Sequence, residues 1–189
     1  MTIEVNANDS ITNFILGLFA ERGSQEYMGE AVTMSQHMEQ TAACAVADDA
    51  ADSLVIAALL HDIGHFVGEH PIEALENGID NNHEDVGADY LEPYYPSSVT
   101  EPIRLHVAAK RYLCATDDGY LGRLSDASVN SLNVQGGPMN AAEVQAFEAR
   151  PYYQDAVRLR LYDDDGKVAG LTIRPVTDYR ATLESLLLS

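Results

Sequence analysis

The stretch LVIAALLHDIGHF, Leu54 to Phe66, decides how this chain is read. Leu54 to Leu60 offers no polar face, and a helix that is apolar all round is buried at the centre of its fold. The run is far too short to cross a bilayer, which needs about 20 such residues. It closes on His61 and Asp62, with His65 four residues after His61. A carboxylate and an imidazole at the end of a buried helix cost free energy unless something satisfies them, and a metal ion does so. The stretch therefore predicts a central helix with a polar site at its end.

Helical signals extend on both sides. Ser10 caps a helix carrying Ile11, Phe14, Ile15, Leu18 and Phe19, which Gly23 stops. A loop with Tyr27, Gly29 and Glu30 follows. Thr33-Met34-Ser35-Gln36 is a capping-box pattern opening a helix to about Val46. The central helix starts near Asp52 and runs through Phe66. His70-Pro71 and Gly78 bound a loop, and a helix with His83 and Tyr90 starts after Asn81-Asn82. Thr100-Glu101-Pro102 predicts the start of the next, with proline in its first turn, reaching about Cys114. Further helices are expected from Ser125 to Asn133 before Gly136-Gly137, from the Asn140-x-x-Glu143 capping box, from Pro151 to Tyr162, and from Asp178 to Leu187. Val168 to Ile173 is the only strand candidate, weakened by Gly170. The expected architecture is all-α, one helical domain over residues 1–189.

Composition bounds the function. Of 189 residues, 30 are Asp or Glu and 11 are Lys or Arg, a formal net charge of −19. Such a chain repels nucleic acid and anionic membrane surfaces, so neither is expected as a partner. A small anion can bind only where metal ions or clustered basic residues reverse the local field. Hydrophobic residues at 46% suit a globular fold. The N-terminal MTIEVNANDS lacks the basic segment of a secretory signal, and Cys44 and Cys114 are too few for a disulfide framework; both points suggest a cytoplasmic protein with reduced thiols.

Of the six histidines, His37, His61, His65, His70, His83 and His106, only His70 beside Pro71 reads as an ordinary loop residue. His37, His61, Asp62 and an aspartate near Asp163 make a histidine–carboxylate set suited to Fe, Mn, Zn or Mg. His83 and His106 can hold a second ion if Asp62 bridges, since a carboxylate has lone pairs on both oxygens. Which of Asp163, Asp164 and Asp165 faces inward stays open.

The order His37, His61-Asp62, His83, His106, Asp163 resembles the HD-domain superfamily of metal-dependent proteins. Most of its members are phosphohydrolases, and a small branch comprises dinuclear iron oxygenases. The segments YMGEAVTMSQH (Tyr27 to His37), LLHDIGH (Leu59 to His65), NHEDVGADYL (Asn82 to Leu91), HVAAKRYL (His106 to Leu113), SLNVQGGPM (Ser131 to Met139) and RLRLYD (Arg158 to Asp163) are similar to the oxygenases that cleave hydroxylated aminophosphonates. The resemblance implies an HD-type helical bundle, two iron ions in a mixed-valence Fe(II)/Fe(III) pair, and O₂ as co-substrate. It implies one iron on His37, His61, Asp62 and Asp163, the other on Asp62, His83 and His106. Tyr27 is implied to fill a metal position until substrate displaces it, and Glu30 to pair with the substrate ammonium. His65, Lys110, Ser128, Ser131, Gln135 and Arg160 match the polar wall around the phosphonate. The implied catalytic set is Tyr27, Glu30, His65 and Lys110, acting on a small organophosphonate.

Helical spacing agrees with this assignment. Lys110 lies four residues after His106, His65 four after His61, and Arg160 three before Asp163, so each shares a face with a ligand candidate. The implied reaction converts (R)-2-amino-1-hydroxyethylphosphonate and O₂ to glycine and phosphate. An N-methylated relative of that substrate, or a phosphohydrolase reaction at the same ligands, are the alternatives. A quaternary ammonium would call for an aromatic cage beside Glu30.

Overall fold

The computed structural model describes residues 10–68 and 80–189. His70, Pro71 and Gly78 lie outside them. Among the described residues the chain forms ten α-helices and two 3₁₀ turns, and the only β pairing is an isolated bridge between Glu26 and Thr33. The helices are α1 (Ile11–Arg22), α2 (Met34–Ala47), α3 (Asp52–Leu60), α4 (Gly64–Val67), α5 (His83–Leu91), α6 (Ser97–Thr116), α7 (Asp126–Val134), α8 (Ala141–Glu148), α9 (Tyr153–Asp165) and α10 (Arg180–Ser185). The fold is all-α.

Helix α3 is the axis. Ile56, Ala57, Ala58, Leu59 and Leu60 are fully buried, and α2, α6, α9 and α10 pack against the helix. Each buried Leu or Ile stabilises by about 1.5–3 kcal/mol. Several such side chains outweigh the cost of carrying His61 and Asp62 into the interior at the helix end. Helix α5 packs against α4 and α6, and α8 closes over a smaller cluster of Leu105, Ala109, Phe147 and Ala156.

The capping signals hold. Ser10 accepts from the Asn13 N–H, and Thr33 and Gln36 exchange both bonds of a capping box, as do Asn140 and Glu143. Three expectations are corrected. The central helix does not run through to Phe66: it stops at Leu60, turns over His61 to Ile63, and resumes as the short α4. Helix α6 begins at Ser97 behind Pro96, so Pro102 lies inside it, one turn later than a first-turn proline would. Near the helix start its missing N–H removes one bond from the ladder. Helix α9 starts two residues after Pro151 and continues three past Tyr162, which carries Asp163 to Asp165 into its last turn. Carboxylates there oppose the helix dipole. Arg160, bonded to both Asp163 and Asp164 from one turn back, offsets this.

The segment Val168 to Ile173 forms no strand. Val168 instead gives its N–H to the Gln40 side-chain oxygen and takes the Gln40 amide on its carbonyl, both at 2.9 Å, the pair of bonds a neighbouring strand would supply. The tail is a 3₁₀ turn, Val176–Tyr179, leading into α10. No described helix is long and apolar enough to cross a membrane.

Candidate active site

The turn after α3 puts Asp62 at the meeting point of four helices. His37 comes from α2, His83 is the first residue of α5, His106 comes from α6 and Asp163 from α9. All five, and His61, are at most 5% exposed. His83 reaches Asp62 because α4 and α5 nearly touch. A Cβ on Gly64 would stand 1.9 Å from the His83 carbonyl oxygen, so only glycine allows the approach. Gly166 does the same at the other end: a Cβ there would meet the Thr41 hydroxyl at 2.5 Å, and its carbonyl receives His37.

The two oxygens of Asp62 face different histidines. Oδ2 lies 3.5 Å from His37 Nε2 and 3.4 Å from His61 Nε2. Oδ1 lies 3.3 Å from His83 Nε2 and 3.7 Å from His106 Nε2. Within each pair the Nε2 atoms approach to 3.1 Å (His37 and His61) and 3.2 Å (His83 and His106). Asp163 Oδ1 is 3.4 Å from His37 Nε2. Asp164 bonds Tyr120 and Arg160 instead, so of the acidic run it is Asp163 that faces this cluster.

These contacts fit metal ions. His37, His61 and His106 each place Nδ1 against a main-chain carbonyl, of Gly166 at 3.0 Å, Ala58 at 2.8 Å and Ile103 at 2.7 Å. A carbonyl only accepts, so each Nδ1 carries the proton and each Nε2 presents its lone pair. Lone pairs facing at 3.1–3.2 Å repel unless a cation lies between them. A proton can relieve one contact per pair, but Asp62 Oδ2 and Asp163 Oδ1 are buried and still lack a donor. Ligand atoms about 2.1 Å from one ion are about 3.0 Å apart at right angles and 3.4 Å in a tetrahedron, close to the 3.1–3.5 Å of the first set and the 3.2–3.7 Å of the second. His37, His61 and Asp62 form one candidate group, and Asp62, His83 and His106 the other. The nitrogen and carboxylate donors suit iron, manganese or zinc better than a thiolate-seeking metal.

The charges are arranged to keep the carboxylates ionised. Burial opposes ionisation of Asp62, yet the surrounding His61, His37 and His83 hold its carboxyl well below the usual range. Burial is likewise overcome at Asp163 by Arg160, then Lys167. Burial, with His83 beside it, pulls His65 down to about 3, so that ring is neutral. Burial lifts the Tyr27 phenol well above its ordinary value, and Asp62 and Asp163 add to this. The Tyr27 ring stacks on His37 at 3.9 Å between centroids.

A pocket opens beside the Asp62, His83 and His106 group. Its other wall is Lys110, Ser128, Ser131 and Gln135, with Tyr27, Arg160, Asp163 and Lys167 around it. Lys110 is buried and donates to Ser131 Oγ at 2.7 Å and Gln135 Oε1 at 2.6 Å. Burial, then Arg160, brings its ammonium down to about 7. Arg160 spends three donors on Tyr120, Asp163 and Asp164, so it orients Asp163 as well as lining the pocket. Glu30 lies in an outer cleft that shares Met28, Ala127 and Ser131 with the inner pocket. His65 sits behind the pocket, stacked on His83 with 4.2 Å between centroids.

The sequence reading missed two residues here. Lys167 bonds Ser128 at 3.0 Å, stands 3.9 Å from Glu30 Oε1 and 4.0 Å from Asp163 Oδ1, and lies 5.8 Å from the Tyr27 ring centroid. It follows Asp163 by four residues, the spacing that singled out Lys110 after His106. Asn81 bonds both His65 and His83, and nothing in its spacing marks it.

Comparison with known proteins agrees with this geometry. Residues 30–123 match the HD domain family. The chain is 46% identical over 162 residues to a [1-hydroxy-2-(trimethylamino)ethyl]phosphonate dioxygenase (glycine-betaine-forming) of Leisingera caerulea, covering 86% of this chain and 83% of that protein. The chain belongs to the HD-domain oxygenases. A hydroxymethylphosphonate dioxygenase of Gimesia maris is 44% identical over 164 residues, 86% of this chain and 82% of that one. An uncharacterized protein of Acanthamoeba polyphaga mimivirus is 35% identical over 171 residues, 89% of this chain and 78% of its own. As an oxygenase the chain uses O₂, and its buried His/Asp groups are suited to holding metal ions.

Proposed function

We propose that this oxygenase cleaves the carbon–phosphorus bond of (R)-2-amino-1-hydroxyethylphosphonate with O₂, giving glycine and phosphate. The observation that carries the choice of substrate is Glu30. Its Oε1 is buried without a hydrogen-bond partner, Lys167 standing off at 3.9 Å, and the outer cleft it lines contains no aromatic residue. An ammonium with N–H donors satisfies that oxygen; a trimethylated nitrogen has none to give. Ser128, Ser131, Gln135 and Lys110 face the phosphonate, which carries close to two negative charges, as a phosphate monoester does. Lys167 adds a second ammonium beside Ser128.

Two iron ions, one on His37, His61, Asp62 and Asp163 and one on Asp62, His83 and His106, supply the redox and Lewis-acid chemistry that O₂ requires. The chain's own groups bind and orient. Lys110 and its hydroxyl partners fix the phosphorus end, Glu30 fixes the amine, and the carbon between them lies toward Asp62. Tyr27 closes the pocket over His37.

The trimethylated substrate is the second reading. One observation favours it: the Lys167 ammonium already stands over the Tyr27 ring, so the site accepts a cation on an aromatic face. The iron-loaded protein is to be assayed for O₂ uptake and phosphate release with the free amine, the trimethylated compound and hydroxymethylphosphonate. The free amine is expected to give the highest kcat/KM. Preference for either other compound overturns the substrate assignment. Phosphate released anaerobically from phosphomonoesters, without phosphonate-dependent O₂ uptake, overturns the reaction.

A further inference from the structure

Asn81 is 7% exposed and touches two histidines with one amide. Its Oδ1 lies 3.1 Å from His83 Nδ1, and its Nδ2 lies 3.2 Å from His65 Nδ1. The two rings lie nearly parallel, 16° apart. If His83 binds a metal through Nε2, the atom facing Asp62 and His106, then its Nδ1 carries the proton and donates to Oδ1. The amide must then present its N–H₂ to His65, whose Nδ1 can only accept. The remaining proton of a neutral His65 sits on Nε2. That atom is buried, has no hydrogen-bond partner, and lies 4.0 Å from Asp62 Oδ1. The reversed amide would put the His83 proton on Nε2, where it would block the metal position, so the two assignments exclude each other.

We propose that Asn81 is a positioning residue, whose single amide fixes His83 as an Nε2 ligand and His65 as an Nε2–H donor turned toward Asp62. This rests on metal ligation by His83 for its tautomers, and on the oxygenase reading only for the identity of the metal. His65 is then a donor held ready in one orientation. No acidic or basic side chain is needed to hold it, and the ring stays neutral while it donates.

The test separates the two supports. In the zinc-loaded protein, which is diamagnetic, ¹⁵N resonances of His65 should show a bare Nδ1 and a protonated Nε2. Asn81→Asp replaces the donor with an acceptor, so the His65 proton should move onto Nδ1 while zinc content stays unchanged. Asn81→Leu removes both partners. In the iron-loaded protein it should weaken metal affinity about tenfold, the scale of losing the outer partner of a ligand histidine. A His65 that carries its proton on Nδ1 in the unaltered protein overturns the proposal, as does a His65 signal that Asn81→Asp leaves in place. If the tautomers are as stated but no phosphonate drives O₂ uptake, the relay stands and the substrate reading falls.

Discussion

On one side of Asp62, His37 and His61 hold their Nδ1 protons against main-chain carbonyls and have a second carboxylate, Asp163, beside them. On the other side, His83 Nδ1 has only side chains beside it, Asn81 at 3.1 Å and Glu84 at 3.5 Å, only His106 is tied to the main chain, and no further protein carboxylate faces Asp62 Oδ1 among the described contacts. His83 and His106 line the pocket; His37 and His61 do not. One half is thus completed by the protein, and the other keeps room for something from outside. Closed metal sites serve structure, whereas open ones keep a position for substrate. With ions in both groups, Asp62 would join one of each kind.

The largest effect should come from the shared residue. Asp62→Ala removes a ligand from both halves, and metal analysis should find both ions lost and activity at background. A retained full complement would show that the halves do not depend on Asp62. Next, the halves should separate. His83→Ala should leave about one ion per chain with no turnover, and Asp163→Asn should weaken the closed half first. If both variants lose metal in parallel, the two halves load as one unit and the contrast fails.

A smaller effect belongs to the open half alone. Lys110 has its ammonium lowered to about 7, so it is charged below that pH and neutral above it. Anion binding to the metal-free protein should therefore weaken as pH rises through about 7, by at most tenfold per pH unit. Lys110→Met should flatten the dependence, as titration calorimetry with inorganic phosphate would show. Smallest is Thr33→Ala, which removes the cap of the helix bearing His37. It should cost about 1 kcal/mol of stability in urea unfolding and leave metal content intact, showing that the closed half is held by packing rather than by that cap.

Much of this was legible in the sequence, for local reasons. Capping boxes at Thr33 and Asn140 depend only on neighbours three residues apart, and the apolar run from Leu54 to Leu60 has only one place to go. The break at His61 was not legible, because His61 and Ile63 keep right-handed helical dihedrals and only the hydrogen-bond ladder is interrupted. Pro102 looked like a helix start because the true one, Pro96, lies six residues earlier. The strand from Val168 failed because its pairing partner is a side chain, Gln40, from a distant helix. The histidines and Asp62 were visible as a spaced pattern, and Lys167 stood at a readable spacing after Asp163, while Asn81 enters the site through contacts that spacing does not encode. Arg160 was visible as a pocket cation; that most of its donors serve Asp163, Asp164 and Tyr120 required the geometry.

The missing side chain at Gly64 has a mechanical consequence. The α4–α5 contact there is backbone on backbone, so it works as a fixed pivot with no soft side chain to absorb displacement. Repacking under α3 is therefore transmitted rigidly to the spacing between Asp62 and His83. Substitutions at Leu59 or Leu60, remote from the pocket, should consequently shift His83 against Asp62, making the apolar core the adjusting screw of the buried histidine cluster.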